Sequence, residues 1–333
     1  MTTLLPIDTL GSAGLRRIMV TGANGFVGRV LCRHLGAHGV DVLAVTRENV
    51  AVVGATRVSA IGDFTAMRDW AALLDGVDAI VHLAALTHDA TRGAQATRFH
   101  AVNVEVTARL AAAAVARDVR RFVHLSSIKV SGESSRYVDG VLQTHAGSDT
   151  PAPEDDYGRS KLAAEQALRR AWPQALGALT ILRPPLIYGA GQKGNLARLM
   201  GLLAQGWPLP VATIRNRRSL LYVENLIDAI VLALGVAHPG LRCYTLADVD
   251  ISTPDLVRAL AHGLGVRARL LPVPAAVLSI LSHAPAIGGT LRRLSNSLIV
   301  DTQVIRSELG WRPRTDFELA IAATCAAWRT AQA

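Results

Sequence analysis

Between the apolar run RIMV and the helix-like segment GFVGRVLCRHLGAHG lies TGANGFVG, Thr21 to Gly28, with glycines at 22, 25 and 28. A strand that ends in a glycine turn and opens directly into a helix restricts the fold strongly. It makes the segment the first βα unit of a parallel sheet. Glycine allows the tight turn, lets backbone N–H groups approach a pyrophosphate, and lets the helix pack closely on the strand. The equal spacing of three differs from the GxGxxG form, but the context is that of a dinucleotide-binding turn.

The segments that follow keep the alternation. VDVLAVTR, DAIVHLAA, RRFVHLSS and ALTILRPP read as strands. A long alanine-rich helix is expected from about Val102 to Arg117, and another beginning near YGRSKLAAEQALRRA. Continuous apolar strands separated by helices imply a parallel sheet covered on both faces. The expected fold class is α/β, a Rossmann-type doubly wound parallel sheet with a smaller C-terminal substrate lobe. The boundaries read as an N-terminal arm over 1–15, a dinucleotide-binding domain over 16–185 with 225–250 returning to it, and a substrate lobe from 186–224 and 251–333. The Thr-, Ser-, Asp- and Pro-rich stretch from Leu142 to Asp156 reads as a surface loop.

Composition narrows the function classes. Of 333 residues, half are hydrophobic and 18% charged, which fits a compact enzyme rather than a disordered chain. The formal charge of +9 suits a polyanionic or phosphorylated partner. The basic residues are scattered without a Lys- or Arg-rich tract, which argues against nucleic acid. Cys32, Cys243 and Cys325 fit neither a disulfide framework nor a metal-ligand spacing, so no metal is expected. The first fifteen residues lack the pattern of a secretory signal, and the apolar stretches near 227–237 and 270–281 are too short or interrupted to span a bilayer. A cytoplasmic location follows as the expectation.

At the end of the second strand, NAD-binding proteins usually carry an acidic residue for the ribose hydroxyls. Here Thr46 and Arg47 come first and Glu48 is one place late. An arginine can neutralise a 2′-phosphate, which favours NADP over NAD. Asp63, after the third strand, either hydrogen-bonds the adenine or ends that strand.

Tyr157 and Lys161, in YGRSK, are four apart and share one face of a helix. A nearby ammonium is expected to lower the phenol's pKa, so that it exchanges a proton with a sugar hydroxyl or ketone. The lysine can also hold the ribose of the cofactor. Ser126 and Ser127 close the strand RRFVHLSS at its carboxyl end, where open α/β sheets bind ligands, and a hydroxyl there can polarise a reacting oxygen.

With TGANGFVG, HLAA (82–85), SS (126–127), YGRSK, RPPLIYG (183–189) and RRSLLYVENLIDAI (217–230) in this order, the sequence resembles the extended short-chain dehydrogenase/reductases. Within that family it is similar to the NAD(P)-dependent nucleotide-sugar epimerases and dehydratases. The resemblance implies Tyr157 as acid/base, Lys161 as its partner and ribose ligand, and Ser127 as donor to the substrate oxygen. It lines the cofactor with Gly22, Asn24, Gly25, Phe26, Val27, Gly28, Arg47, Asp63, Leu83, Ala84, Ala85, Asn103 and Pro184, together with Tyr157 and Lys161. Asn195 and Arg218 match residues that contact the diphosphate of a UDP-sugar, and Arg292 or Arg293 would add a further phosphate contact. The resemblance also implies a homodimer, through a bundle that includes the helix of Tyr157.

Where sugar dehydratases carry an Asp-Glu pair, this chain has Ile128 and Lys129, which argues against loss of water. Lys129 and Leu186 also depart from the galactose epimerases. SSIKVSGE and PEDDYGRSK resemble bacterial UDP-4-keto-6-deoxy-N-acetylhexosamine reductases of surface-polysaccharide synthesis. The leading expectation is therefore a reductase, or the reverse dehydrogenase, at carbon 4 of a UDP-sugar, with a UDP-sugar 4-epimerase as alternative. A non-catalytic NAD(P) sensor on this fold would be expected to lose the tyrosine–lysine pair, and both residues are present.

Overall fold

The computed structural model describes residues 8–87, 95–236, 238, 240–274 and 294–332. Seven strands form one parallel sheet: β1 (Arg17–Thr21), β2 (Asp41–Thr46), β3 (Arg57–Ala60), β4 (Ala79–His82), β5 (Arg121–Leu125), β8 (Ala178–Arg183) and β11 (Gly240–Thr245). Their order is β11-β8-β5-β4-β1-β2-β3, with every pair parallel. The order reverses at β1, which is flanked by β4 and β2. The carboxyl ends of the strands at such a switch point are where doubly wound sheets take ligands.

Helices cover both faces because the strands are apolar on both. On one face α2 (Phe26–Ala37) turns Val27, Val30, Leu31 and Leu35 inward and packs beside α7 (Val223–Gly235). On the other, α4 (Val106–Ala116) and α5 (Asp156–Ala171) bury Leu110, Ala114 and Leu168 against Ile80, Phe122 and Leu179. The single α-helix expected from Val102 to Arg117 is not what forms. A π-helical turn, His100–Glu105, precedes α4. Such widened turns arise where side chains must be re-aimed, and this one buries Asn103.

The remaining elements stand at the carboxyl edge of the sheet. Strands β9 (Leu186–Tyr188), β10 (Arg218–Tyr222) and β12 (Val249–Ile251) form a small mixed sheet. Helices α6 (Asn195–Ala204), α8 (Thr253–Leu264) and α10 (Phe317–Gln332) pack around it, and α9 (Gln303–Leu309) lies against β11 and α7. A hairpin of β6 (Tyr137–Val138) and β7 (Val141–Leu142) stands in the loop before α5. Residues 297–301 cross between these parts: Ser135 N–H donates to Ser297 O at 2.7 Å, His145 N–H to Ile299 O at 2.9 Å, and Ser219 N–H to Leu298 O at 2.8 Å.

Candidate active site

The glycine loop has the shape that its residues require. Gly22 sits at φ +68°, where a Cβ would stand 2.8 Å from the backbone nitrogen of Ala84. A Cβ on Gly28 would lie 2.3 Å from Gly22 O. Gly25 N–H donates to Gly22 O at 2.9 Å, and Gly25 caps α2 without a side-chain hydrogen bond. The first turn of α2 therefore keeps its N–H groups and positive dipole end free for an anion. Side chains on these glycines would collide with neighbouring backbone and force the turn open, so the glycines keep it tight, and the bare N–H groups it presents fit the pyrophosphate of a dinucleotide.

Around that loop the strand ends are fixed by buried polar bonds. His82 Nδ1 lies 2.7 Å from Thr21 Oγ1, and its Nε2 lies 2.8 Å from Thr107 Oγ1. Thr107 donates to Asn103 O at 2.7 Å, so its oxygen is left to accept the Nε2–H of a neutral His82, while Thr21 donates to Nδ1. Burial pushes His82 down to about 3, which keeps it neutral. Asn103 accepts from Leu86 N–H at 2.8 Å and donates to Leu86 O and to Ser160 Oγ, at 3.0 and 2.9 Å. Ser160 in turn donates to Tyr157 O at 2.8 Å. Asn103 thus ties the segment after β4 to the first turn of the tyrosine helix. Leu83 and Ala84, close to Gly22, and Ala85 stand beside the loop at the end of β4.

The structure brings Ser127, Tyr157 and Lys161 together. Ser127 caps the 3-10 turn Ile128–Val130 that follows β5, its Oγ accepting from Lys129 N–H at 3.3 Å. Ile128 N–H donates to the carbonyl of buried Pro184 at 3.0 Å, which seats this turn on the end of β8. Asp155 caps α5 by accepting from Gly158 N–H at 2.7 Å, and Tyr157 follows in the first turn. The Ser127 hydroxyl stands on the phenol's side of this turn and favours its ionised form. Ser126 points elsewhere, donating to Glu165 Oε1 at 2.5 Å in the core.

The pKa expectation for Tyr157 is overturned. Burial pushes the phenol up to about 12, the Asp155 carboxylate adds to the rise, and the Ser127 hydroxyl opposes it. Lys161, fully buried, has its ammonium 3.2 Å from His124 Nε2. Burial brings that ammonium down to about 8 against the opposing pull of Glu165. His124 stacks on His82 at 5.4 Å and is held neutral by burial. It accepts from Lys161 through Nε2, so its proton sits on Nδ1, which has no partner among the described residues.

Other expected positions lie apart from this centre. Arg47 is exposed at the end of β2, and exposed Asp63 accepts from Thr65 N–H at 2.8 Å. Asn24, Phe26 and Val27 lie in the glycine loop and the first turn of α2. Asn195, exposed, opens α6, and Arg218 opens β10 with Nη1 3.1 Å from Asn296 O. Arg292 and Arg293 fall outside the described residues. Among the described residues, no cluster of three potential metal ligands occurs, and no helix is long and apolar enough to cross a membrane.

Two parts of the site were missed from sequence. His82 and His124 are register partners on β4 and β5, and the paired strings VHLA and VHLS were the available signal. The Glu165–Arg183 pair and the Lys129–Asp155 contact join residues 18 and 26 positions apart, which no local pattern reveals.

The model of the family described as NAD dependent epimerase/dehydratase matches residues 18–242. A UDP-glucose 4-epimerase of Vibrio cholerae is 33% identical over 302 residues, 90% of this chain and 91% of that protein. A dTDP-6-deoxy-L-talose 4-dehydrogenase (NAD(P)(+)) of Kitasatospora kifunensis is 30% identical, over 92% of this chain and 93% of its own. The solved structure of MoeE5 in complex with UDP-glucuronic acid and NAD superposes with a TM-score of 0.77 at 25% identity, covering 95% of this chain and 99% of that one. With the glycine cradle at the sheet's switch point and a match across most of its length, the chain belongs to the NAD dependent epimerase/dehydratase family of enzymes.

Proposed function

We propose that the enzyme works at carbon 4 of a UDP-sugar, as a reductase of a 4-keto-6-deoxy-hexosamine or the reverse dehydrogenase. The observation that carries this reading is the placing of Ser127, at the turn after β5, by the Tyr157 phenol, with Lys161 one turn along the same helix. When bound, the nicotinamide supplies or accepts the hydride. Tyr157 gives a proton to the 4-oxygen in reduction and takes it in oxidation. Ser127 donates to the same oxygen and stabilises its developing charge. Lys161 holds the cofactor ribose and offsets the phenolate. A phenol held at about 12 is a reluctant acid by itself, so the approach of that ammonium is part of the work.

The substrate side of the reading rests on Asn195 and Arg218 as diphosphate contacts, and on relatives and neighbours whose names carry nucleotide sugars. Arg47, with no carboxylate at the end of β2, favours NADPH as the reductant. We propose the lobe assignment (16–185 with 225–250 for the cofactor, 186–224 and 251–333 for the sugar) and a homodimer on the same grounds.

The epimerase reading is favoured by the Vibrio cholerae relative. It uses the same three residues with the hydride returned to the other face of the ring. One assay separates the two. Purified protein is mixed with UDP-4-keto-6-deoxy-N-acetylglucosamine and either NADPH or NADH, and the nicotinamide absorbance is followed. Stoichiometric loss supports the reductase and reports the preferred cofactor. No loss, together with interconversion of UDP-hexose epimers in parallel, replaces it with the epimerase.

A further inference from the structure

Lys129 stands where the dehydratase pattern would place an acid, yet it does not face solvent freely. Its ammonium donates to Glu133 Oε1 at 2.7 Å and to Asp155 Oδ2. Asp155 uses its other oxygen, Oδ1, to cap the helix of Tyr157 through Gly158 N–H. At its backbone end, Lys129 donates its N–H to Ser127 Oγ, and its carbonyl lies where a Cβ on Gly158 would come within 2.7 Å. Glu133 N–H also donates to Glu154 Oε1 at 2.9 Å, a second tie between the two segments. The serine turn and the first turn of the tyrosine helix are 26 residues apart in sequence, and this one side chain bolts them together.

We infer that Lys129 is a positioning residue for the Ser127–Tyr157 pair. Its ammonium clamps the serine turn onto the helix cap and neutralises the carboxylate nearest the phenol. The charged and titratable groups on the elements packed around Tyr157 include Lys129 on the serine turn, Arg98, His100 and Glu105 on the segment whose Phe99 ring packs against the tyrosine ring, Arg109 on α4, and Asp155, Asp156, Arg159, Lys161 and Glu165 on its own helix and cap. Of these, Asp155 is the one whose charge bears on the phenol. Burial alone would lower the Lys129 ammonium, but the Asp155 and Glu133 carboxylates hold it above its usual range, so it stays charged wherever the enzyme works. Without it, Asp155 would face the phenol uncompensated and make the phenolate harder to form.

The consequence for catalysis rests on the roles of Ser127 and Tyr157 proposed above, whereas the clamp itself can be read without turnover. The whole protein is labelled with tyrosine carrying carbon-13 at Cζ, and the Tyr157 resonance is identified by its loss in Tyr157→Phe. The ionised fraction of Tyr157 is then compared at about pH 11. The expected order is Asp155→Asn above wild type, and Lys129→Met below it, each displaced by about one pH unit. Lys129→Arg, which keeps the charge, should stay near wild type. Asparagine also caps helices, so Asp155→Asn removes the charge while keeping the cap. Equal titration in all four proteins, or displacement of Lys129→Met and Asp155→Asn in the same direction, would overturn the inference. Should the expected order appear while Tyr157→Phe retains turnover, the clamp stands and the catalytic reading falls.

Discussion

The guanidinium of Arg183 grips the carboxylate of Glu165 through two hydrogen bonds, Nε to Oε1 at 2.9 Å and Nη2 to Oε2 at 2.6 Å. Both side chains are almost wholly enclosed. Ser126 donates to the same carboxylate, and Arg183 also reaches Ser131 and the carbonyl of Gly147. The pair joins the end of β8 to the middle of the tyrosine helix and fixes the floor on which the site is built. Removing one partner strands a charge in the core. Arg183→Met should lose about 3–5 kcal/mol of stability. The double variant Arg183→Met/Glu165→Met should recover part of that loss, and urea unfolding of the three proteins measures both.

Tyr157→Phe keeps the ring and removes the proton. Turnover should fall by about 10²–10⁴, while NADH, titrated by its fluorescence, binds with little change. Full activity in this variant would rule out the proposed mechanism.

Gly28→Ala places a methyl group 2.3 Å from Gly22 O and 2.7 Å from Ala23 Cα, both backbone atoms that cannot swing aside. Overpacking of this kind costs about 1–3 kcal/mol. Because the strain falls on the cradle itself, cofactor affinity should drop roughly ten- to a hundredfold, read in the same fluorescence titration.

His82 and His124 are buried neutral, with pKa values depressed below the ordinary 6.5. The unfolded chain therefore binds protons that the folded one refuses as pH falls below 6.5. The stability held by the neutral pair is complete above that value and is lost progressively towards about 3 for His82. Each histidine contributes a slope of about 1.4 kcal/mol per pH unit in that window. Denaturant unfolding across a series of mildly acidic buffers should show a shallower slope for His124→Phe than for wild type.

The sheet was readable because its evidence is local. RIMV, AIVH and RFVH are apolar on both faces, and turn residues bound them, so parallel strands followed from composition within a few positions. Ser127, Tyr157 and Lys161 were readable for a similar reason, since a strand end and a four-residue helical step are short-range facts. The rise of the Tyr157 pKa was not, because it depends on what encloses the ring and on the carboxylate of Asp155. The π-helical turn at His100–Glu105 was not legible either, because the helical pattern of the stretch does not distinguish a widened turn from an ordinary one. What accompanies it is a tertiary contact, the burial of Asn103 between Leu86 and Ser160.

The crossing made by residues 297–301 gives the protein a particular order of assembly on the ribosome. All seven strands of the main sheet have been synthesised once Thr245 is made. The loop between Ser127 and Tyr157 must still wait for Ser297, Ile299 and Asp301, which pair with Ser135 and His145. Synthesis proceeds at about 5–20 residues per second, so a nascent chain spends several seconds with its sheet available and that loop unlatched. The cradle for the cofactor is encoded early and the latch on the loop that joins the two reacting residues late, with α9 and α10 still to follow it.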